Sequence, residues 1–452
     1  MKKILLMFTL ALVALAGCKK DPAPEAVKVS QIRLEDMPTT DFNVGRSVTI
    51  SAVITPDDAT DKSVTFTSSN PEVATVEYTE SENNYSLALL KAVGPGKATI
   101  TATANDGSGV KAEAEVTVIP NETTFTSTAN CYIVTKAGAY AFKAVKGNSS
   151  ESVGSVASAE VLWETFGTDV APAVGDLVKD VSYKDGEITF TATDKKGNAV
   201  IAAKDAAGNI LWSWHIWLTD QPKEQEYYHN AGTMMDRNLG ATSSTPGDVG
   251  ALGLLYQWGR KDPFLGSSSI SEAVEAKSTI TWPSAVSSDS STGTIAYAIA
   301  NPTTFITDNS KNDDWYYTGY SSTDNTRWTT SDKAKSIYDP CPAGWSVPDG
   351  GENGVWSKAL GSSSEFTNVF DNVYKGMNFS DKFGSYQTIW YPAPGSRAQF
   401  DGRLFHVPYY GIYWSASTYG QQANVLGIYD DGFVGSLNSI RAYGRSVRCV
   451  KE

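Results

Sequence analysis

Between residues 27 and 120 the chain alternates apolar and polar side chains with a period of two, in seven short runs. The runs are 27–34, 48–54, 64–68, 73–78, 85–93, 97–104 and 112–119. Successive side chains of an extended strand point to opposite faces, so this period predicts half-buried strands and conflicts with a 3.6-residue helical repeat. Turn formers divide the runs, among them Thr55-Pro56-Asp57-Asp58, Ser69-Asn70-Pro71 and Asp106-Gly107. Seven strands in about 95 residues, each with one apolar face, bury those faces by packing two sheets together as a β-sandwich.

The remainder of the 452 residues leaves room for two to four domains in all. Charged residues make up 19% and aromatics 11%, a composition that favours a mainly β, extracellular type of chain over a helical one. The formal net charge is −13 and no basic stripe is present, which argues against nucleic acid as a partner. Residues 121–225 read as a second β-rich domain, with strands at 187–193, 199–204 and 209–218 and a turn at Ala206-Ala207-Gly208-Asn209. Within the last strand Trp212, Trp214 and Ile216 share one face, and Ser213, His215 and Trp217 share the other. That stretch reads as a sandwich or as a docking strand. From 226 to 452 aromatic and glycine-rich motifs alternate with polar loops.

At the amino terminus Lys2 and Lys3 precede an apolar run, Ile4 to Ala16, that is too short and wrongly flanked to span a membrane. It closes on Leu15-Ala16-Gly17-Cys18, which resembles the bacterial lipobox. The resemblance implies a signal peptide over 1–17, lipidation of Cys18 and a tether over 18–26. Acyl chains at about 0.8 kcal/mol per buried methylene would hold the protein at a membrane. The expected location is the outer membrane of a Gram-negative bacterium, with the folded part at the cell surface. Because the chain is acidic, anionic headgroups would repel it, and the lipid would do the attaching.

The 27–120 segment resembles the bacterial Ig-like group 2 domain. The resemblance rests on Ile54-Thr55-Pro56 with Ala59, on Ser68-Ser69-Asn70-Pro71 before Val73-Ala74-Thr75-Val76, and on Ala92-Val93-Gly94-Pro95-Gly96 before Ala98-Thr99-Ile100-Thr101-Ala102. Val116-Thr117-Val118 closes it. Phe66 stands where the family often has tryptophan, and it is expected to fill the same core space.

Residues 226–452 resemble the Fibrobacter-type major paralogous (FISUMP-type) domain, related to the C-type lectin-like fold. The matching blocks are Met235-Asp236-Arg237-Asn238-Leu239-Gly240-Ala241, the run from Gly253 to Phe264, the run from Tyr338 to Pro348, Gly411 to Ser417, and Ser446-Val447-Arg448-Cys449-Val450. The resemblance implies a compact α+β module with long irregular loops and no single activity. It also implies a disulfide between Cys341 and Cys449, since the lectin-like fold bridges its first helical region to its final strand. Pairing of Cys131 with either, or three reduced buried thiols, are the alternatives, with Cys131 otherwise a small core residue.

The most binding-like block is Asn312-Asp313-Asp314-Trp315-Tyr316-Tyr317-Thr318-Gly319-Tyr320, with Arg327-Trp328 nearby. Trp390-Tyr391-Pro392-Ala393-Pro394-Gly395-Ser396-Arg397 is a second such cluster, followed by Arg403 and His406. Flat rings beside carboxylates and amides stack on sugar rings and bond their hydroxyls. Trp315, Tyr317, Trp328, Trp390 and Arg397 are therefore the candidate ligand contacts. The competing use of the same rings is to cover the small core of a loop-rich domain. No cofactor or metal is expected. The acidic pairs Asp313-Asp314 and Asp430-Asp431 are conceivable cation ligands, but the calcium signatures of lectins are missing, and such pairs are usually solvated.

Catalysis is not expected. There is no Gly-x-Ser-x-Gly elbow and no HExxH helix. The related formylglycine-generating enzymes need a cysteine pair that here is taken by the implied bridge. The expected function is non-covalent, adhesin-like binding of a glycan or a surface protein, with the Ig-like domain as spacer. A structural or assembly component of a surface fibre or envelope complex is the alternative, and a hydrolase is a more distant one.

Overall fold

The computed structural model describes residues 25–40, 42–308, 313–319, 324–361, 370–379 and 389–452. The expected signal peptide, Cys18, most of the tether, Asn312 and Tyr320 lie outside the described residues. The chain divides into two compact units, Met1–Asn121 and Glu122–Glu452.

All seven strands expected of the first unit are present. They are β1 (Gln31–Glu35), β2 (Ser47–Thr55), β3 (Val64–Ser68), β4 (Ala74–Glu82), β5 (Tyr85–Ala92), β6 (Gly96–Ala104) and β7 (Lys111–Val118). They form two sheets in the orders β1-β2-β5-β4 and β3-β6-β7. The inward positions, including Ile50, Ala52, Ile54, Ala88, Leu90, Ile100 and Val116, make the core, and Phe66 packs among them. The alternation seen in sequence is thus the alternation between core and solvent. The Asn70 turn is closed by its own side chain, whose Oδ1 accepts from Glu72 N at 3.2 Å.

The second unit begins with eight strands: β8 (Glu122–Thr124), β9 (Cys131–Val134), β10 (Gly138–Lys143), β11 (Ser158–Thr165), β12 (Val178–Lys184), β13 (Glu187–Ala192), β14 (Gly197–Lys204) and β15 (Ile210–Leu218). They form sheets ordered β12-β13-β10-β8 and β11-β14-β15-β9. Between the sheets lie Tyr140, Phe142, Ile188 and Phe190 from one and Ile201, Trp212, Trp214 and Ile216 from the other. The two faces expected for β15 are the faces observed. Its second face is buried as well: Trp217 joins Cys131, Trp163 and Val200 in a core completed by Met235, Trp258, Trp328, Trp414 and Cys449.

The boundary expected at 225/226 therefore separates no compact units. A sheet covered on both sides needs two layers, and residues 226–452 supply the second. Polar links reinforce the join. Asn130 Nδ2 donates to Ile337 O at 2.7 Å and Asp339 O at 2.8 Å, while its Oδ1 accepts from Trp212 Nε1 at 3.0 Å. Lys261 Nζ donates to Ser213 O at 2.9 Å and to Asp262 Oδ1 at 2.7 Å.

The five motif blocks of 226–452 interlock. Trp258 Nε1 donates to Ser415 O and Trp414 Nε1 to Tyr256 O, at 2.9 and 2.8 Å. Met235 N donates to Cys449 O at 3.0 Å, Leu239 N to Val447 O at 2.8 Å and Trp414 N to Ser446 O at 2.9 Å. Cys341 and Cys449 form the disulfide. Cys341 lies in a loop rather than in a helical region, which departs from the lectin-like expectation. Among the described residues the α-helices are α1 (Ile295–Ala300) and α2 (Val355–Leu360), six residues each, so the molecule is mainly β. No described helix is long and apolar enough to cross a membrane.

Two buried titratable groups act in opposite directions with pH. Burial pushes His215 down from 6.5 to about 3. Its contribution to stability is present above 6.5 and is lost as pH falls through that window. Burial pushes Asp339 up from 3.8 to about 6, against the pull of Lys335 and of two backbone N–H donors. Its contribution is full below 3.8 and is lost as pH rises through 6, so acidification from 6 to 4 restores it. Between about pH 4 and 6 the folded state gains the Asp339 proton while the unfolded state gains the His215 proton, and the two slopes cancel. We therefore expect the Asp339→Asn protein to lose stability steadily from pH 6.5 downward, where the parent shows a plateau. Urea midpoints between pH 3 and 8 test this, and parallel curves for the two proteins would refute the assignment.

Candidate functional site

Four of the five expected ligand contacts are interior. Trp315 and Trp328 are fully buried, and Trp390 and Arg397 nearly so. Trp315 Nε1 donates to Trp258 O at 2.7 Å and Trp328 Nε1 to Arg260 O at 3.1 Å. Arg397 is held by Leu265 O at 2.9 Å, Gly402 O at 2.8 Å and the Glu275 carboxylate at 2.5 Å. Tyr317 is half-buried. With so few helices to supply apolar faces, the loops of this unit fill its interior with rings, and the packing use prevails for these residues. The acidic pair nearby is likewise engaged. Asp314 is 3% exposed and pairs with Arg327, and Asp313 Oδ2 accepts from Gln422 Nε2 at 3.0 Å. Among the described residues no group of three or more metal-ligating side chains converges.

The exposed aromatic surface lies elsewhere. Strands Tyr410–Tyr419 and Gln422–Tyr429 pair antiparallel with Tyr410 opposite Tyr429, and Val434–Ser439 extends the sheet. A cross-strand pair brings its side chains together, and here the two rings meet edge-to-face with centroids 4.5 Å apart. The turn after Tyr429 is tight. Gly432 N donates to Tyr429 O, Tyr429 N donates to Phe433 O, and Gly432 has φ +91°, which favours glycine. This turn sets the Phe433 ring 5.6 Å from that of Tyr429.

On the other side of Tyr410 the run continues. His406 holds φ +60° and its carbonyl accepts from the N–H groups of Tyr409 and Tyr410. Its ring lies 4.3 Å from Tyr410 and 4.2 Å from Phe405. Phe405 stacks on Tyr443 at 5.9 Å. Six rings thus follow one another: Tyr443, Phe405, His406, Tyr410, Tyr429 and Phe433. All are exposed or half-buried, and the neighbouring Tyr409 is exposed. Asp401, Asp430 and Asp431 are exposed or half-buried acids in the adjoining turns.

Arg445 lies beneath this run. It sits on a short strand, Gly444–Arg445, between Tyr256–Gln257 and Ser396–Arg397. Only 7% of it is exposed. Its guanidinium is 4.4 Å from the Tyr443 ring and 5.6 Å from that of Trp414. Burial pushes its pKa down to about 10, against the pull of Tyr443 and Tyr429, so it stays cationic at neutral pH. Among the described residues its guanidinium makes one hydrogen bond, Nη1 to Ser396 Oγ, long at 3.5 Å, and Nε has no partner. His406 is lowered by burial and by Arg445, which keeps the imidazole neutral near pH 7.

His406 is the member of this surface that the sequence singled out. The others carried no local signal beyond aromatic character. The hairpin register that pairs Tyr410 with Tyr429 around Gly420 would have exposed part of the run.

No curated protein matches the chain. Among solved structures, domains 4 and 5 of the S-layer protein SbsC share 20% identity, covering 20% of this chain and 51% of that one at a TM-score of 0.17. The match thus spans about half of that fragment's own length. The Escherichia coli adhesin FdeC shares 16% identity over 43% of this chain and 66% of its own, at a TM-score of 0.19. The Yersinia pseudotuberculosis adhesin InvE shares 11% over 51% and 76%, also at 0.19. These scores are too low to carry an argument about function. The family comparison is sharper, matching residues 28–118 to the bacterial Ig-like domain (group 2). With its seven alternating strands in two sheets and its Phe66-containing core, the 28–118 segment of this chain is a bacterial Ig-like domain of that group.

Proposed function

We propose that this chain is an exported, lipid-anchored envelope protein whose 122–452 unit binds a glycan or surface-protein ligand without covalent chemistry, in the manner of an adhesin. The lipobox at Leu15-Ala16-Gly17-Cys18 supports the anchor, with Cys18 as the acylated residue in the outer membrane. The Ig-like domain serves as spacer. The five motif blocks support a FISUMP-type module in the second unit, acting as a scaffold because their side chains are spent on one another. Recognition then falls to the surfaces between the blocks.

The observation that carries this reading is the run of six exposed or half-buried rings from Tyr443 to Phe433. Scattered exposed apolar residues are ordinary, whereas a contiguous rimmed patch marks an interaction surface. Ring faces flanked by carboxylates suit a sugar ring or an extended peptide.

Alanine at Tyr429, Phe433 or Tyr443 should weaken binding to the target surface by about 1–3 kcal/mol each. The Phe433 variant should leave the denaturation midpoint little changed because that ring is exposed, whereas Tyr429 and Tyr443 also pack against the core. Binding of the mature protein to a glycan array and to host or bacterial surfaces measures this. Unaltered binding by the triple variant, with its fold intact, would remove the site from consideration.

A further inference from the structure

We propose that the six-ring surface takes a carboxylated sugar, with the acid group seated on Arg445. The inference rests on the binding role proposed for that surface and names its ligand class.

The other buried arginines are spent within the protein. Arg327 has the Asp314 carboxylate, and Arg237 has Asp236 and Asp220. Arg397 has Glu275 and two carbonyls. Arg260 donates to Gln257 Oε1 and to the carbonyls of Thr304 and Asn301. Arg448 donates to Asn238 Oδ1 and Trp390 O. An Nε without a partner is common to Arg260, Arg327, Arg441 and Arg445, but Arg445 departs from the others in having a single bond, at 3.5 Å to a hydroxyl, and no carboxylate or carbonyl among the described residues. Its Nη2 donates to no described protein atom, and 7% of the residue remains exposed. A cation taken out of water without an anion is unfavourable, and a ligand that brings the anion relieves it.

The charge count narrows the ligand. A single guanidinium fork matches the two oxygens of one carboxylate. His406 is neutral, no lysine among the described residues joins the run of rings, and the nearby exposed Arg403 is already paired with Asp401 at 3.4 Å, so a dianionic phosphate would lack a second free cation. Asp430 and Asp431 in the rim would repel a dense polyanion, and their oxygens suit sugar hydroxyls. The flanking faces of Tyr443 and Phe405 suit the C–H face of a pyranose. A monoanionic sugar acid satisfies all three features.

The test is calorimetric titration of the mature protein with methyl galacturonoside, which carries one carboxylate, and with its methyl ester, which keeps the ring and removes the charge. We expect the free acid to bind about tenfold or more tightly than the ester. Arg445→Gln should erase that difference, and Arg445→Lys should restore part of it. Equal affinity for acid and ester in the parent protein, or no binding of the acid, overturns the proposal, and neither outcome depends on the fold of a variant. If acid and ester bind alike while Tyr443→Ala weakens both, the sugar-acid assignment fails and the binding role stands. If ring variants alter binding to no glycan or surface, the binding role itself fails.

Discussion

Replacing Asp314 by alanine should destabilise the second unit by about 3–5 kcal/mol. Asp314 is 3% exposed and lies between two arginines that are themselves 1% and 0% exposed. Arg327 Nη1 donates to its Oδ1 at 3.0 Å, Arg327 Nη2 donates to its Oδ2, and Arg441 Nη1 approaches Oδ2 at 3.5 Å. Tyr316 N also donates to Oδ1, at 3.1 Å. The guanidinium of Arg327 lies 4.7 Å from the Trp258 ring and 5.0 Å from that of Trp315, and that of Arg441 lies 4.4 Å from Trp258.

Ring faces offset part of the desolvation of two cations, but they carry no net charge. Removing the one carboxylate leaves both guanidinium groups buried without an anion, the costly case for a buried pair. Arg441 also donates to Asp324 O, Gly420 O and Gln422 O, each at 3.0 Å, so it cannot leave without opening two segments, the loop at Asp324 and the hairpin turn at Gly420–Gln422. Urea unfolding followed by tryptophan fluorescence would measure the loss. Adding Arg327→Met to the alanine variant should recover part of it, because the pair is coupled. A loss under about 1 kcal/mol would mean that the arginines find water or another partner.

Opening the Cys341–Cys449 bridge should cost up to about 4.7 kcal/mol, the chain-entropy value for a loop of about 100 residues. The cysteines are 108 residues apart in sequence and both are fully enclosed. The local structure around them is held independently. Asp339 accepts from Cys341 N at 2.8 Å and from Val347 N at 2.9 Å, and Met235 N donates to Cys449 O. The native state should therefore survive reduction with little change, and most of the effect should come from the freer unfolded chain. Guanidinium midpoints of the full chain with and without reductant, and of the Cys341→Ser/Cys449→Ser variant, should agree with one another and lie below the oxidised parent. Cys131 should not substitute as a partner. It is buried and burial holds its thiol far above the usual range, which suppresses the thiolate needed for exchange. Equal midpoints for oxidised and reduced protein would discount the loop-entropy account.

Much of the fold was legible in the chain. Two-residue alternation located β1 to β7 because a strand with one wet face writes its burial directly into sequence. The faces of β15 followed from the same rule. Trp212, Trp214 and Ile216 went to one core, and Ser213, His215 and Trp217 went to the other. The number of compact units did not follow. Alternation reports that a strand has two faces and says nothing about what covers the second one, so a covered sheet at 197–218 read as a domain of its own.

The site was less legible still. A tryptophan has the same composition whether it seals a core, as Trp315 and Trp328 do, or meets solvent. Local sequence determined the Ig-like domain, the strand faces and the aromatic stock of the second unit. Only tertiary structure decided which rings that stock spends inside and which it leaves on the surface over Arg445. That outcome depends on pairings between residues far apart in the chain, such as Tyr410 with Tyr429 and Asp314 with Arg441, and no local period encodes them.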